Sequence, residues 1–415
     1  MEEVAVLLQS APQIIKRILR AMSARELHRV SRVCRTWQKY AVLVLKERRH
    51  VLTMTATGLN QDNSHAAIVD NSETKQFLQD LDLDCGLAVM FQGIPHPPDT
   101  WSSSFATHTS SAHMDYKAMR SYFTPSSSLI GAVCSEGIIG TSSDGSYHEQ
   151  KEPAVDCLSA FLMPKSLPEG AQMSHFSVSL NQAKELAKSE LDRATLAQEF
   201  QWPEDEAVKC IIMVAAEIVL SQMPINVDRK LFGAIRVLYD GQVALAGGVA
   251  DQVFSSAYST VEKDPRSADE YVDDNYDDDE ADFSIVKPAF VGLLFGGENV
   301  RAASLVIGQD DQTKESVRER LAELKEKVEA WGECRQKFGF MFASCGRDRP
   351  IVDVDESEAE IFKELMPDIP LTGFFSSAEF GWDFPLPLAQ QGENVKLSVN
   401  TLLYGTTTFA VVGFV

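Results

Sequence analysis

Short apolar runs separated by helical sequence recur from Gly86 to the end of the chain. The run at 209–216 contains Cys-Ile-Ile-Met-Val without a charge, and similar runs lie at 87–91 and 129–133. Apolar runs of this length predict buried strands, and helical segments between them predict a sheet that helices cover. The expected fold class is therefore α+β or α/β, with helix-covered sheets in a two-part body.

The same pattern continues through the second half of the chain. Further strands are predicted at 242–246, 289–295, 301–307, 338–343, 371–375, 395–403 and 407–415. The clearest helix is predicted at 313–331, and its apolar residues step by four, three, four and three: Val317, Leu321, Leu324, Val328 and Trp331. This spacing favours packing on the core, with a short coiled coil as the alternative.

Length and composition limit the class of protein. With 415 residues the chain is long enough for two to three domains, and an apolar content of 44% is ordinary for a globular protein. No apolar run approaches the length of about 20 residues that spans a bilayer, and Glu2 and Glu3 stand where a signal peptide carries positive charge. We therefore expect no membrane association and a cytoplasmic and nuclear location.

The cysteines and the absence of common enzyme motifs narrow the chemistry. The seven cysteines form no Cys-x-x-Cys pair and are odd in number, so reduced thiols are expected, with neither a zinc ribbon nor a disulfide framework. The sequence lacks Gly-x-x-x-x-Gly-Lys-Ser, Gly-x-Ser-x-Gly and His-Glu-x-x-His. It therefore predicts no catalytic residue, no metal site and no cofactor.

Charge is unevenly distributed along the chain. Residues 1–50 hold eleven Lys and Arg against four acids, a net charge of +7, so the other 365 residues carry −29 of the total of −22. The segment 262–282 has eleven acids against two basic residues, and this self-repelling run predicts a disordered loop. An acidic body would repel phosphates, so the basic helices suggest an acidic protein partner and not nucleic acid.

Amphipathic helices are predicted before residue 50. In the stretch from Ser23 to Tyr40, the apolar residues have the spacing of one helical stripe: Leu27, Val30, Val33, Cys34 and Trp37. Ser23 and Glu26 have the spacing of a capping box, and Pro12 opens an earlier apolar helix. So short a module is expected to bury too little surface for a core of its own, so its stripes need a partner.

The run from Pro12 to Trp37 resembles an F-box, the helical module that docks on the Skp-type adaptor of cullin-RING ubiquitin ligases. The resemblance rests on the paired aliphatic residues, the Ser-Ala-Arg-Glu-Leu turn and Val-Cys-Arg-x-x-Trp, although Ser23 replaces the Pro before the second helix. It implies binding to the adaptor, and through it to cullin and RING subunits, by Pro12, Ile14, Ile15, Ile18, Leu19, Leu27, Val30, Val33, Cys34 and Trp37. An ordinary helical hairpin packed on the rest of the chain is the alternative.

Two strand ends in the body share one order of residues. At 130–137 and at 372–379, a Gly inside a strand is followed by two apolar residues, small polar residues and a carboxylate. An apolar strand precedes each of them, at 87–91 and 338–342. The pattern indicates two related α/β halves on either side of the acidic segment, and chance similarity of strand ends is the alternative.

These corners, together with 245–251 and 338–347, resemble the two halves of a FIST domain, a family whose bacterial members are thought to sense small ligands. The resemblance implies three regions: an F-box at 1–50, a FIST N-terminal-like domain at 51–300 and a FIST C-terminal-like domain at 301–415. Ala378 stands where the family has Gly, so a turn that needs a positive φ is expected to differ there. An F-box before a FIST region implies a substrate receptor of a ubiquitin ligase.

The corners also hold the candidate contacts of a substrate or ligand, namely Ser135, Glu136, Gly137, Ser344, Cys345, Arg347 and Glu379. Arg347 beside Cys345 predicts a lowered thiol pKa, but covalent catalysis also needs a base, and all eight histidines lie at or before His175. Glu136 and Glu379 form a carboxylate pair if the two corners face each other, and otherwise cap turns.

Three functions are compatible with these patterns. The first is a non-catalytic substrate-recognition subunit, which binds the adaptor through the F-box and a target protein through the body. The second is a sensor in which a small metabolite lies in a cleft between the FIST-like halves. The third is an enzyme built on Cys345, for which no base or oxyanion group can be named.

Overall fold

The computed structural model describes residues 12–58, 68–95, 115–151, 153, 155–188, 191–217, 227–239, 242–256, 288–347, 357–385 and 402–415. Within these ranges the chain is a mixed α/β protein with three sheets. None of the helices in these ranges combines the length and apolar character needed to cross a membrane. The acidic segment 262–282 and most of the strand predicted at 395–403 lie outside the described residues.

The N-terminal module consists of three helices: α1 (Pro12–Arg20), α2 (Ala24–Val30) and α3 (Arg35–Glu47). The capping box predicted at Ser23 and Glu26 is confirmed, with both reciprocal hydrogen bonds present. The single helical stripe predicted from Ser23 to Tyr40 is wrong, because α2 ends at Val30 and α3 begins after Cys34. The Ser31 hydroxyl donates to the carbonyl of His28 at 2.8 Å, and Cys34 is extended with φ −159°, which breaks the helix.

The three helices do enclose a small core, contrary to the expectation from their length. Its fully buried members are contributed by all three helices: Ile15, Leu19, Ala24, Leu27, Ala41, Val44 and Leu45. The third helix supplies the surface that a two-helix hairpin would lack.

The helical module is also hydrogen-bonded to the body. The backbone N–H of Ala24 donates to the carbonyl of Leu81 at 2.8 Å, and His28 pairs with Asp84 at 3.0 Å. Just after the module, the side-chain amide of Gln336 bonds both the N–H and the carbonyl of Val51, at 2.6 and 2.9 Å, which fixes the start of β1 (Leu52–Thr57) on the strand that contains Gln336. The bonds from Ala24 and His28 join the module to the segment before β2 (Cys85–Gly93).

The body contains three sheets. The first has the strand order β1 (Leu52–Thr57), β6 (Cys157–Pro164), β2 (Cys85–Gly93), β3 (Ser128–Cys134) and β10 (Gln252–Ser255). The second has the order β16 (Leu402–Leu403), β15 (Glu379–Trp382), β9 (Ala244–Ala250), β8 (Val208–Ala216), β11 (Pro288–Gly296) and β7 (Gln172–Ser179). The third has the order β12 (Val300–Ile307), β17 (Thr407–Phe414), β13 (Gln336–Ser344), β14 (Leu371–Ser376), β4 (Gly137–Thr141) and β5 (Tyr147–Lys151).

Helices cover one face of each sheet. The first sheet is covered by a 3₁₀ turn at Ile68–Asp70, α4 (Ser72–Gln79) and a helix at 115–122. The second sheet is covered by α5 (Leu180–Lys188), α6 (Arg193–Glu199) and α7 (Val227–Leu238). The third sheet is covered by α8 (Lys314–Glu329) and α9 (Glu358–Leu365). The helix predicted at 313–331 is confirmed as α8, and its buried stripe packs on the third sheet. The opposite faces of the sheets meet in an aromatic core, where Phe91 of the first sheet contacts Phe342 and Phe374 of the third.

The three sheets repeat one arrangement. Each has a central parallel pair of strands, β2–β3, β8–β9 and β13–β14, in which a Met faces a Gly. The pairs are Met90 with Gly131, Met213 with Gly247, and Met341 with Gly373. A Cβ at these glycines would lie 1.9, 1.9 and 1.7 Å from the facing Met carbonyl oxygen, so no larger residue fits. The body therefore contains three related units, one more than the repeat predicted from sequence.

The units exchange strands in a cycle. After β9 the chain enters β10, which pairs with β3 of the first sheet, and after β3 it enters β4, which pairs with β14 of the third. After β14 it enters β15, which pairs with β9 of the second. Two sheets thus contain strands from both sides of residue 300, and the division into domains at 50 and 300 stays a prediction. The exchange brings the three strand ends, or corners, into contact.

Candidate functional site

The corners after β3, β9 and β14 are joined by direct hydrogen bonds. Asp251 accepts from the backbone N–H of Ser135 at 2.5 Å and from its hydroxyl at 3.1 Å. Val249 donates from its backbone to Ala378 at 2.8 Å and accepts from Ser377 at 3.4 Å. We call the resulting surface the corner site and define it by Ser135, Glu136, Asp251, Cys345 and Glu379.

Glu379 is the buried carboxyl of the corner site, with no exposed surface. Its Oε1 accepts from Ser376 Oγ at 2.6 Å, and its Oε2 accepts from Thr406 Oγ1 at 2.9 Å. Burial nevertheless raises the pKa of Glu379 to about 7, because it disfavours the charged form more than these hydrogen bonds stabilise it. The group therefore changes charge near neutral pH.

Replacing Glu379 with Gln should remove the loss of folding stability that Glu379 causes as pH rises through about 7. The folded pKa of Glu379 is raised above the ordinary value of 4.5, so its stabilising contribution is complete below that value and is lost as pH rises through about 7. We expect the unfolding free energy of Glu379→Gln relative to wild type to increase by about 2 to 3 kcal/mol between pH 5 and pH 8. Urea unfolding at both pH values measures it, with the exposed Glu315→Gln as the control. A difference that is the same at both pH values would contradict the assignment.

Cys345 lies at the exposed edge of the corner site, directly after β13. Its backbone N–H donates to the carbonyl of Ser376 at 3.0 Å, which ties it to the third corner. Partial burial raises the pKa of the Cys345 thiol, and the nearby Glu136 and Glu379 carboxylates raise it further. The prediction that Arg347 lowers this pKa is therefore wrong, and the thiol is a poor nucleophile at neutral pH.

Arg347 is a structural clamp whose guanidinium binds four partners. It forms a buried ion pair with Glu358 of α9 at 2.6 Å and donates to the carbonyl of Gly405 at 3.2 Å. The same guanidinium also donates to the carbonyls of Gly308 and Asp311. These partners occupy the guanidinium, so Arg347 is not free to bind a ligand.

The other predicted site residues support the corners through the backbone. Ser344 is buried and donates its N–H to the carbonyl of Thr406 at 2.9 Å. Gly137 has φ +119°, and a Cβ there would lie 2.0 Å from the carbonyl oxygen of Gln150. Of the seven predicted contacts, Glu136 and Cys345 are at least partly exposed at the corner site. The other five have buried side chains or, for Gly137, a buried backbone: Ser135, Gly137, Ser344, Arg347 and Glu379.

The corner site is acidic, and sequence reasoning missed part of it. Burial raises the pKa of Glu217, which follows β8, and the charge of Asp251 raises it further, so these two carboxyls interact. Asp251 follows Gly247 by four positions, as Ser135 follows Gly131. This shared spacing could have identified Asp251 as a residue of the corner site. Within the described ranges no group of three His, Cys, Asp or Glu side chains has the arrangement of a metal site.

The predicted adaptor-binding residues divide by exposure. Pro12, Ile14, Ile18, Val33 and Cys34 are exposed, and Val33 is the most exposed large apolar residue among them at 70%. Val30 and Trp37 are partly buried against the module's core. Ile15, Leu19 and Leu27 are fully buried inside the module, so their assignment as partner contacts is corrected to core residues.

Comparisons with known proteins give one extended sequence similarity. No family model matches the chain. Among solved structures, cyanuric acid hydrolase matches at 10% identity and a TM-score of 0.36, covering 89% of this chain and 100% of that one. The enzyme from A. caulinodans matches at 8% with a TM-score of 0.39, covering 88% and 99%. A chorismatase matches at 7% with a TM-score of 0.33, covering 88% and 98%.

The curated relatives have a different description. F-box only protein 22 of Homo sapiens is 23% identical over 388 residues, and its counterpart in Pongo abelii is 23% identical over 389. Each alignment covers 91% of this chain and 85% of the relative. Along most of its length, the chain is therefore similar in sequence to F-box only protein 22.

Proposed function

We propose that this chain is the substrate-recognition subunit of a Skp-cullin-F-box ubiquitin ligase. Helices α1 to α3 form the F-box that binds the adaptor, and the FIST-like body binds the target protein. The observation that carries the proposal is an exposed apolar surface on a module whose own core is already complete. Ile14 is 52%, Ile18 38% and Val33 70% exposed. The buried core of the module does not include these three side chains, so their apolar surface is available to a partner.

The proposed role needs no bond chemistry in this chain. Binding the adaptor places the body, and a target held on it, beside the ubiquitin-charged conjugating enzyme. The target lysines then react at a raised effective concentration, which leads to ubiquitination and proteasomal degradation. The hydrogen bonds from Ala24 to Leu81 and between His28 and Asp84 support this, because they attach the module to the body and so limit the orientations that the target can adopt.

Affinity purification with the proteasome inhibited tests the proposal. The full chain is expected to recover a Skp-type adaptor, cullin and RING subunits together with target proteins, in the cytoplasm and nucleus. A chain without residues 1–50 is expected to lose the ligase subunits and keep the targets. Recovery of the ligase subunits by the shortened chain would refute the adaptor role.

A sensor of a small ligand is the second candidate, and the corner site is the observation that favours it. Glu379 is buried among Ser376 and Thr406 where three units meet, an arrangement that places one titratable group among polar contacts. Ligands that bind the folded chain raise its melting temperature. A thermal-shift screen of metabolites tests this candidate. A ligand of the corner site should raise the melting temperature of the wild-type chain but not that of Glu379→Gln. If no metabolite in the screen behaves in this way, the candidate is excluded.

A further inference from the structure

The helical module and the body share no apolar core within the described part of the chain. The buried apolar cluster of the module runs from Ile15 to Leu45, and the clusters of the body begin at Val51. The covalent connection is the irregular stretch 48–51 between α3 and β1. Two folded parts joined by a short connection and a polar interface are expected to move relative to each other. The polar contacts across the junction therefore decide how firmly the module is held.

A short segment of the body at 81–84, directly before β2, receives contacts from several parts of the module. The N–H of Ala24 at the start of α2 donates to the carbonyl of Leu81 at 2.8 Å. The guanidinium of Arg48, at the end of α3, donates to the carbonyl of Asp82 at 2.5 Å and also binds two carbonyls in the turn between α1 and α2. A backbone amide and a guanidinium keep their protons near neutral pH, so these bonds do not depend on pH in that range.

Two histidine–aspartate pairs lie across the same junction. His28 Nε2 of α2 is 3.0 Å from Asp84 Oδ1, and His50 Nε2 of the connection is 3.1 Å from Asp82 Oδ1. Histidine is the side chain that ordinarily changes charge between about pH 5 and pH 8. The pKa of Asp82 is lowered, chiefly by its hydrogen bond with His50, so this carboxylate stays ionised over that range. A protonated histidine therefore forms an ion pair here, and a neutral histidine forms a weaker hydrogen bond.

Arginines are the other charged side chains beside these pairs. Arg48 lies close enough to Asp82 for their charges to interact, and Arg32 and Arg35 line the same groove as His28. Arginine stays protonated at every pH at which the chain is folded, so none of these three residues adds a pH-dependent step. Their positive charge opposes protonation of the histidines, whereas the facing carboxylates favour it.

We propose that the pairs His28–Asp84 and His50–Asp82 form a pH-sensitive latch that holds the helical module on segment 81–84. The latch is closed when both imidazoles are protonated, because charge-assisted hydrogen bonds are roughly twice as strong as neutral ones. It loosens as pH rises and the imidazoles lose their charge. The pairs are partly exposed, with 38% and 41% of the histidine side chains accessible, so each should change the open-to-closed ratio by no more than about 5-fold.

Opening the latch would let the module turn about the connection at 48–50. The next residue, Val51, is bound through both backbone groups to the side chain of Gln336, so the body end of the connection is fixed. Under the proposed function, the angle of the module sets the distance between a bound target and the conjugating enzyme. That consequence rests on the proposed function, whereas the latch itself does not.

Single-molecule energy transfer in the full chain tests the latch without any partner. One dye is attached to Cys345 of the body, which is exposed, and the other to position 39 of α3 through Lys39→Cys. Cys34→Ser and Cys334→Ser remove the other thiols that are at least partly exposed among the described residues. We expect one dominant transfer efficiency at pH 5.5. At pH 8 a second population should appear, with the open-to-closed ratio raised about 5- to 10-fold by the two pairs together.

Histidine variants of the labelled chain assign the response to the latch. His28→Gln combined with His50→Gln keeps a hydrogen-bond donor at both positions but cannot become charged, so its distribution should be the same at both pH values. His148→Gln is the matched control, since His148 is an exposed histidine of the body that contacts Ser146 at 3.0 Å, and it should keep the full response. An identical wild-type distribution at pH 5.5 and pH 8 would overturn the proposal. A full pH response in the double variant would also overturn it, because groups outside the two pairs would then be responsible.

Discussion

Val33→Asp is expected to weaken binding of a Skp-type adaptor strongly while leaving the helical module folded. Val33 is 70% exposed and lies outside the module's core, so the folded chain loses no buried contact. In the complex proposed here, the new carboxylate would be buried against an apolar partner without a counter-charge, and such changes at central interface positions cost about 2 kcal/mol or more. We expect at least a 30-fold rise in Kd, at about 1.4 kcal/mol per tenfold. Calorimetric titration with purified adaptor measures it.

The matched control for this variant is Tyr404→Asp. Tyr404 is an exposed large apolar side chain of the body, 55% exposed, and lies outside the helical module. Its substitution should leave the adaptor Kd within twofold of wild type. Circular dichroism should show unchanged helix content for both variants. Wild-type affinity in Val33→Asp would remove Val33 from the interface and leave the F-box assignment without its principal contact.

Arg347→Ala is expected to destabilise the body by about 3 to 5 kcal/mol, the cost typical of breaking a buried ion pair. The substitution would leave Glu358 without its ion-pair partner in a site where both side chains are under 10% exposed. It would also remove the donor for the carbonyls of Gly308, Asp311 and Gly405. Unfolding in urea followed by fluorescence measures the change in free energy.

Arg318→Ala is the control that distinguishes burial from charge. Arg318 makes a two-pronged ion pair with Glu364, but its side chain is 35% exposed and that of Glu364 is 56% exposed. Exposed pairs contribute about 0 to 1 kcal/mol, so this variant should stay close to wild type. If Arg347→Ala lost no more stability than Arg318→Ala, the clamp between the loops would not be a stabilising element.

Local sequence patterns predicted several helices and strands correctly. The capping box at Ser23 and Glu26 and the buried stripe of α8 involve residues within one or two helical turns, so spacing alone identifies them. The strand at 209–216 follows in the same way from an uncharged apolar run. Where neighbouring residues compete, spacing is insufficient, as at Ser31, whose hydroxyl ends α2 within a continuous apolar stripe.

The corner site could be predicted only in part. The glycine corners were identifiable because each Gly must lie against a facing Met carbonyl, and this requirement leaves the same residue at Gly131 and Gly373. The role of Arg347 could not be identified from the sequence, because its partners are separated from it by 11 to 58 positions in the chain. The direction of the Cys345 pKa shift likewise depends on Glu136 and Glu379, which are remote in sequence.

The sequence by itself determined the starts of α1, α2 and α8, most of the buried strands, the acidic segment and the glycines that close approach requires. Each of these follows from interactions between residues close together in the chain or from the volume of one side chain. Only the tertiary structure decided that three units exchange strands, that Ile15 is buried while Ile14 is exposed, and that Glu379 becomes a buried carboxyl. These features depend on which distant surfaces pack together, and packing sets the exposure and dielectric environment of each group.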